Sequence, residues 1–177
     1  MLSAPVQKRR LQTRAAAADD AVLIQQLYQL TPGYFDIISI PLPALTETRT
    51  ELMLALGDER RFVELVLAHG DGFADWDLVD PATGLQLVGL VDYKLDYPGE
   101  GDATVNLILV PGDLQSRGVG RTCVGLLEER LRGRCHRLLA AIYGQNPRAE
   151  QFWKSLGYRF AIDAKPNLDW YAKELPL

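Results

Sequence analysis

The stretch that most constrains this chain is Val110-Pro111-Gly112-Asp113-Leu114-Gln115-Ser116-Arg117-Gly118-Val119-Gly120-Arg121. Ahead of it, Ala103 to Val110 is apolar and rich in strand-forming residues. Behind it, Val119, Cys123, Leu127 and Leu131 recur every four residues, with Val124 and Leu126 beside them. This spacing predicts a helix from Gly118 to about Arg132 with one apolar stripe. A strand that turns through glycines straight into a helix leaves main-chain N–H groups unpaired at the positive end of the helix dipole. Such a turn suits a phosphate. Whatever the fold, a strand end and a helix start must meet at this point.

The remaining elements follow from periodicity and turn chemistry. Val6 to Thr13 reads as a first strand. Asp19 and Asp20 cap a helix to Leu30, which Thr31-Pro32-Gly33 ends, and Tyr34 to Ile38 continues as a turn or short helix. Another helix runs from about Pro43 to Leu56, stopped by Gly57. Strands are predicted over Phe62–Ala68, Leu85–Leu95 and Ala103–Val110, forming an antiparallel meander across two glycine-bearing turns. The polar stretch His69 to Trp76 is a loop in which Trp76 is either a lid or a packed anchor. After the glycine-turn helix come a buried strand, Leu138–Tyr143, and a helix opened by Asn146-Pro147 and closed by Gly157. Closing strands are predicted over Tyr158–Ile162 and Leu168–Ala172. Gly125, inside a helix, costs about 1 kcal/mol relative to alanine, and close approach to the sheet would explain it. The 177 residues form one mixed α/β domain, residues 1–177.

Composition limits the partners. No apolar run approaches the roughly 20 residues of a membrane span. The net charge of −4 comes with no basic stripe, so neither a membrane nor a nucleic acid is expected. Cys123 and Cys135 make neither a disulfide framework nor a metal spacing, which gives a cytoplasmic protein without a metal. A P-loop needs Gly-Lys-Ser/Thr, and Gly120 is followed by Arg121. A dinucleotide fingerprint needs glycine at 123, where Cys123 stands, and an early place in a parallel βαβ unit. What remains is a pyrophosphate held by the amides of Arg117 to Thr122, with Gln115 shaping the entry.

Gln115-x-x-Gly118-x-Gly120 after the Leu109-Val110 strand end resembles the acetyl-CoA signature of the GCN5-related N-acetyltransferase (GNAT) family. Asn146, Ala149, Phe152, Trp153, Gly157 and Tyr158, in that order behind the Leu138–Tyr143 strand, resemble the family's second segment. The resemblance covers about Leu85 to Phe160. It implies a central mixed, mostly antiparallel twisted sheet of six to seven strands, splayed between strands 4 and 5 and flanked by about four helices. Pantetheine would lie in the splay like an added strand, bonded to the main chain of Ile108, Leu109 and Val110. Amides of Arg117, Gly118, Val119, Gly120 and Arg121 would hold the pyrophosphate, with Asn146 at the pantetheine arm and Trp153 beside it. Acetyl-CoA is then a co-substrate, and the activity is direct acetyl transfer to a primary amine in a ternary complex. The acceptor is a small molecule or a protein amine, and the protein a monomer or homodimer. A non-catalytic acyl-CoA sensor of the same fold is the alternative.

Catalysis is less sharply marked. A main-chain N–H near Val110 can polarise the thioester carbonyl. Where many relatives place a tyrosine to protonate the thiolate, this chain has Trp153, whose indole is no practical acid. Water, Tyr143 or no side chain fills that role. Asp92 is the candidate base, and Asp92 and Asp96 flank the expected acceptor site. Alternation equally allows Asp92, Lys94 and Asp96 to be a solvated face. Glu64 is a further candidate. Tyr34 and Phe35 either shape the acceptor pocket or cap the core. His69 and His136 read as ordinary surface or boundary histidines, and Cys123 as core.

Overall fold

In the computed structural model, which describes residues 10–69, 73–165 and 168–176, seven strands form one sheet in the order β1-β2-β3-β4-β5-β7-β6. The strands are β1 (Leu11–Ala15), β2 (Arg61–Ala68), β3 (Gln86–Leu95), β4 (Asp102–Leu109), β5 (Arg137–Tyr143), β6 (Arg159–Lys165) and β7 (Leu168–Glu174). Five helices flank them: α1 (Ala21–Gln29), α2 (Pro32–Ile38), α3 (Leu45–Leu56), α4 (Val119–Leu131) and α5 (Pro147–Ser155). All neighbours are antiparallel except β4 and β5, which run parallel because α4 carries the chain back between them. The expected mixed, mostly antiparallel sheet is present, with one helix more than predicted.

The sequence accounts for the element starts. The Asp20 carboxylate accepts the Ala17 N–H at 2.7 Å just ahead of α1, and Glu47 accepts the Ala44 N–H at 2.6 Å ahead of α3. Asn146 caps α5 by accepting from Ala149 N–H at 3.0 Å, with Pro147 in the first turn, where no intrahelical donor is lost. The segment Thr31-Pro32-Gly33 does more than end α1. Thr31 Oγ donates back to Leu27 O at 2.7 Å, and Pro32 opens α2, so Tyr34 and Phe35 are helical. The first strand begins at Leu11, and the predicted portion Val6 to Arg9 lies outside the described residues.

Alternation along the strands sends apolar residues to both faces. One face packs Val66, Val88, Val91, Val105, Leu138 and Ile142 against α4 and α5, with Cys123, Leu127 and Trp153. The other packs Leu65, Leu67, Leu87, Leu90 and Leu109 against Ile24, Leu27 and Leu52 of α1 and α3. Trp76 is a packed anchor: its indole N–H donates to Leu87 O at 2.8 Å, against the first core. Gly125 does not approach the sheet. A Cβ there would meet nothing within 4 Å, so its cost is not offset by packing.

Two irregularities in the middle of the sheet position everything that follows. The β4–β5 ladder runs only from Asp102↔Arg137 to Val105↔Ala140, although both strands continue beyond it. The sheet is therefore splayed where the sequence resemblance implies, and the β4 edge from Asn106 to Leu109 faces an opening. At the same level β3 and β4 slip in register: Asp92 pairs with Leu107 and Tyr93 with Val105. Asn106 is the unopposed residue of a β-bulge.

Candidate functional site

The splay opens into a cleft of about 860 Å³ between β4, β5, α4 and α5. Ile108, Leu109 and Val110 line it from β4, Asn146 and Trp153 from the α5 side, and Gln115, Gly118, Val119, Gly120 and Arg121 from the glycine turn. Gln115 Nε2 donates to Val110 O at 2.9 Å, which ties the turn to the strand end. Gly118 stands at the N-cap of α4 with φ of 88°, a left-handed conformation that costs an L-side chain about 1–2 kcal/mol. Because the chain turns there, the first amides of α4 open toward the cleft. Arginines strengthen the positive end: Arg121 reaches Ser155 Oγ at 3.2 Å, and Arg148 reaches Ser116 Oγ at 3.3 Å. Arg117 turns its side chain away, to Asp75 at 3.2 Å, so only its main chain belongs to the turn.

Gly120 works differently from Gly118. A Cβ at 120 would lie 3.2 Å from Phe152 Cζ and 3.3 Å from Cε2. The missing side chain brings α4 close to α5, so the glycine sets the width of the cleft.

Trp153 is 5 % exposed and packs edge-on against Phe152 and Tyr158, with centroids 5.2 and 4.8 Å away. At this position the ring forms part of the cleft floor. Cys123 is buried on the inner face of α4, and burial pushes its thiol up to about 12, which removes it as a nucleophile at neutral pH.

A second cleft of about 620 Å³ lies on the α1–α3 side of the sheet. Tyr28, Tyr34 and Phe35 wall it, with Phe35 edge-on to both tyrosines at 5.1 and 5.3 Å. Glu47, Glu51, Arg61 and Asp92 supply its charges. The two clefts share Tyr34, Asn106, Leu107 and Tyr143. Burial pushes the Tyr28 hydroxyl up to about 12, helped by the charges of Asp92 and Glu51. Burial raises the Tyr34 and Tyr143 hydroxyls as well, so all three phenols hold their protons near neutrality. The junction is held by a close approach. Gly144 has φ of 66°, and a Cβ there would lie 2.5 Å from Ile37 O, so the end of β5 fits against α2 only as glycine.

Asp92 faces this second cleft and is 6 % exposed. It is not part of a solvated face. Arg61 grips it through Nε, 3.1 Å from each carboxylate oxygen, and Nη2, 2.7 Å from Oδ2, and Asn106 Nδ2 donates to Oδ1 at 3.0 Å. Asp96 is not brought near it. It sits in the β3–β4 turn at the closed end of the splay, accepting from Gly101 N–H at 2.9 Å. Glu64 points to the opposite face, where it pairs with Arg130 and accepts from the Tyr93 hydroxyl at 3.2 Å. His69 and His136 line neither cleft.

The sequence reading missed Asn106, Arg61 and Tyr28. Asn106 left a trace, a lone amide inside an apolar strand, whereas Arg61 and Tyr28 are ordinary for their positions until the chain folds.

The family model described as "Acetyltransferase (GNAT) family" matches residues 38–158. An acetyltransferase from Thermus thermophilus superposes with a TM-score of 0.80 at 32 % identity, over 93 % of this chain and 97 % of that one. Spermidine N-acetyltransferase from Vibrio cholerae, solved with CoA and spermine, gives 0.69 at 15 % identity over 93 % and 95 %. PaiA N-acetyltransferase from Thermoplasma acidophilum, solved with coenzyme A, gives 0.66 at 11 % identity over 93 % and 99 %. No curated protein matches the chain. Fold and neighbours together define an acyl-transfer protein of the acetyltransferase class. The chain belongs to the GNAT family.

Proposed function

We propose that this protein is an acetyl-CoA-dependent N-acetyltransferase that moves the acetyl group directly to a primary amine in a ternary complex. The observation that carries this reading is the meeting of two clefts at Tyr34, Asn106, Leu107 and Tyr143. One cleft has an anion-binding turn at its mouth and an unpaired strand edge along its wall, which suits a pyrophosphate followed by the two amides of pantetheine. The other has aromatic walls and more carboxylates than cations, which suits an amine.

In the reaction the amine lone pair attacks the thioester carbonyl carbon, the C–N bond forms and the C–S bond breaks. The amine gives up one proton and the thiolate gains one, so the only net proton change is the one released when the ammonium is neutralised. Holding both reactants in line is worth about 7–11 kcal/mol, enough to carry most of the rate. Main-chain N–H groups on the open β4 edge near Val110 stabilise the oxyanion. Tyr143 supplies a hydroxyl at the junction. A phenol raised by burial is a weaker acid than a thiol, whose ordinary value is near 8.5. Its part is therefore a hydrogen bond to the departing sulfur, with water completing the protonation.

Acetyl-CoA turnover over a panel of primary amines, followed as free thiol, tests the reading. Acetylated amine with one thiol released per turnover, and initial-rate lines that intersect, are expected. Tight CoA binding with no thiol released for any amine would establish the acyl-CoA sensor instead.

A further inference from the structure

Asn106 is fixed at the junction by two features that the acetyl-transfer reading does not require. The bulge leaves it unopposed on β4, one residue past the last β4–β5 pair, Val105↔Ala140. Alternation from Val105, which packs on the α4 side, turns Asn106 to the Asp92 face, and the bulge keeps Leu107 on that same face instead of sending it back. Its amide also has only one chemically permissible orientation. Asp92 is a carboxylate and accepts only, so the Asn106 group 3.0 Å from Oδ1 must be the donor Nδ2. Arg61 in turn prevents the carboxylate from rotating, since it binds through two nitrogens. With Nδ2 committed, the other end of the amide is a pure acceptor. Among the described residues no donor reaches Asn106 Oδ1, and Asn106 lines both clefts.

We propose that Asn106 Oδ1 is the group that receives the acceptor amine, taking one N–H of the nitrogen as it approaches the thioester. Asp92 and Arg61 are then positioning residues that act through Asn106. The inference rests on the acetyl-transfer reading for its substrate but not for its test. A neutral amine carries N–H donors and one lone pair. An acceptor oxygen beside the carbonyl carbon binds an N–H and leaves the lone pair aimed at carbon. A carboxylate in the same place would instead favour the ammonium, which has no lone pair to attack with. The arrangement keeps the negative charge of Asp92 one amide removed from the nitrogen, offset by Arg61. The proton of the bound ammonium leaves to water through the open second cleft, without a side-chain base.

The test uses the full chain loaded with CoA and has two readouts, amine binding by calorimetry and acetyl-CoA turnover. Asn106→Leu keeps the volume and removes the acceptor. It should raise the amine Kd and KM about ten-fold, the effect of one lost hydrogen bond in a partly buried site. CoA affinity should stay within about three-fold, because the pyrophosphate turn is untouched. Asn106→Ser, a smaller change, serves as the second variant, and CoA-dependent thermal shifts report folding for each. Asp92→Asn frees the Asn106 amide to flip. It should weaken amine binding in the wild-type background and add nothing in the Asn106→Leu background. The rise of turnover with pH should keep its shape in Asp92→Asn. Unchanged amine binding in both Asn106 variants would overturn the proposal. So would an additive Asp92→Asn loss, or a pH profile flattened by Asp92→Asn, which would make Asp92 the base. Amine binding by wild type without turnover would sink the enzyme reading while leaving this comparison intact. No binding of any amine would sink both.

Discussion

Replacing Gly120 by alanine separates two accounts of why glycine stands at the second position of the turn. If glycine lets an anion approach the main chain, a methyl group blocks the ligand directly. The geometry instead points the missing Cβ at Phe152, at 3.2 and 3.3 Å. Carbon atoms are comfortable at about 3.5–4.0 Å, so the ring must retreat by about 0.3–0.5 Å. Such overpacking costs about 1 kcal/mol, at the low end of its range. Alanine in place of helical glycine returns about 1 kcal/mol. Global stability should therefore barely move, whereas CoA affinity should fall about three- to ten-fold, because Gly120 and Phe152 are both walls of the cleft. Calorimetric titration with CoA, run beside thermal melts, reads both quantities. The deciding variant is Gly120→Ala in a Phe152→Leu background. Removal of the ring edge should restore most of the lost affinity and give a coupling energy of about 1 kcal/mol across the cycle. A loss that persists undiminished without the ring would show that the methyl meets the ligand, and would refute the spacing argument.

Gly125→Ala should stabilise the chain by about 1 kcal/mol, or about 2–4 °C in Tm, since the Cβ enters open space on a helix; an unchanged or lower Tm would contradict it. Asp80 is fully buried and holds Arg14 at 2.7 Å, so Asp80→Asn should cost about 3 kcal/mol at pH 7 by urea titration. The Arg14 guanidinium beside it holds the Asp80 carboxyl well below the usual carboxylate range. Its contribution is therefore fully present above about pH 4, the unfolded value, and lost as pH falls toward the folded one; the gap between wild type and Asp80→Asn should narrow below that point. Gly144→Ala should lower amine turnover more than CoA affinity, because its Cβ would displace Ile37 and α2, a wall of the junction.

Most of the fold was legible because its signals are local. Asn146 caps α5 through Ala149, three residues on, Asp20 and Glu47 each reach back three residues to a main-chain N–H, and each β-meander turn carries its own glycine. The departures arise where a residue serves two neighbours. Pro32 reads as a stop for α1, but its fixed φ also starts α2, and nothing nearby in sequence says which use wins. Gly125 reads as a contact with the sheet, yet it faces open space. Asp92 and Asp96 share a face by alternation, but the strand ends between them and the turn carries Asp96 away.

The same distinction divides the site. The cofactor side is a strand end, a turn and a helix start, contiguous in sequence and built from glycine conformation and unpaired amides, so a short motif describes it. The second cleft is assembled from Tyr28 and Tyr34 on α1 and α2, Arg61 on β2, Asp92 on β3, Asn106 on β4 and Tyr143 on β5. Its key geometry is a one-residue slip between β3 and β4. A slip of one residue reverses which face every later side chain takes. Alternation counted along β4 from Val105 therefore assigns Leu107 and the residues after it to the wrong face, and only the long-range pairing of Asp92 with Leu107 corrects it. The second cleft is written in register rather than in motif. A change that shifts the bulge should therefore alter amine and CoA binding together, because Ile108 to Val110 lie beyond the slip, and a variant that lost one without the other would count against this placement.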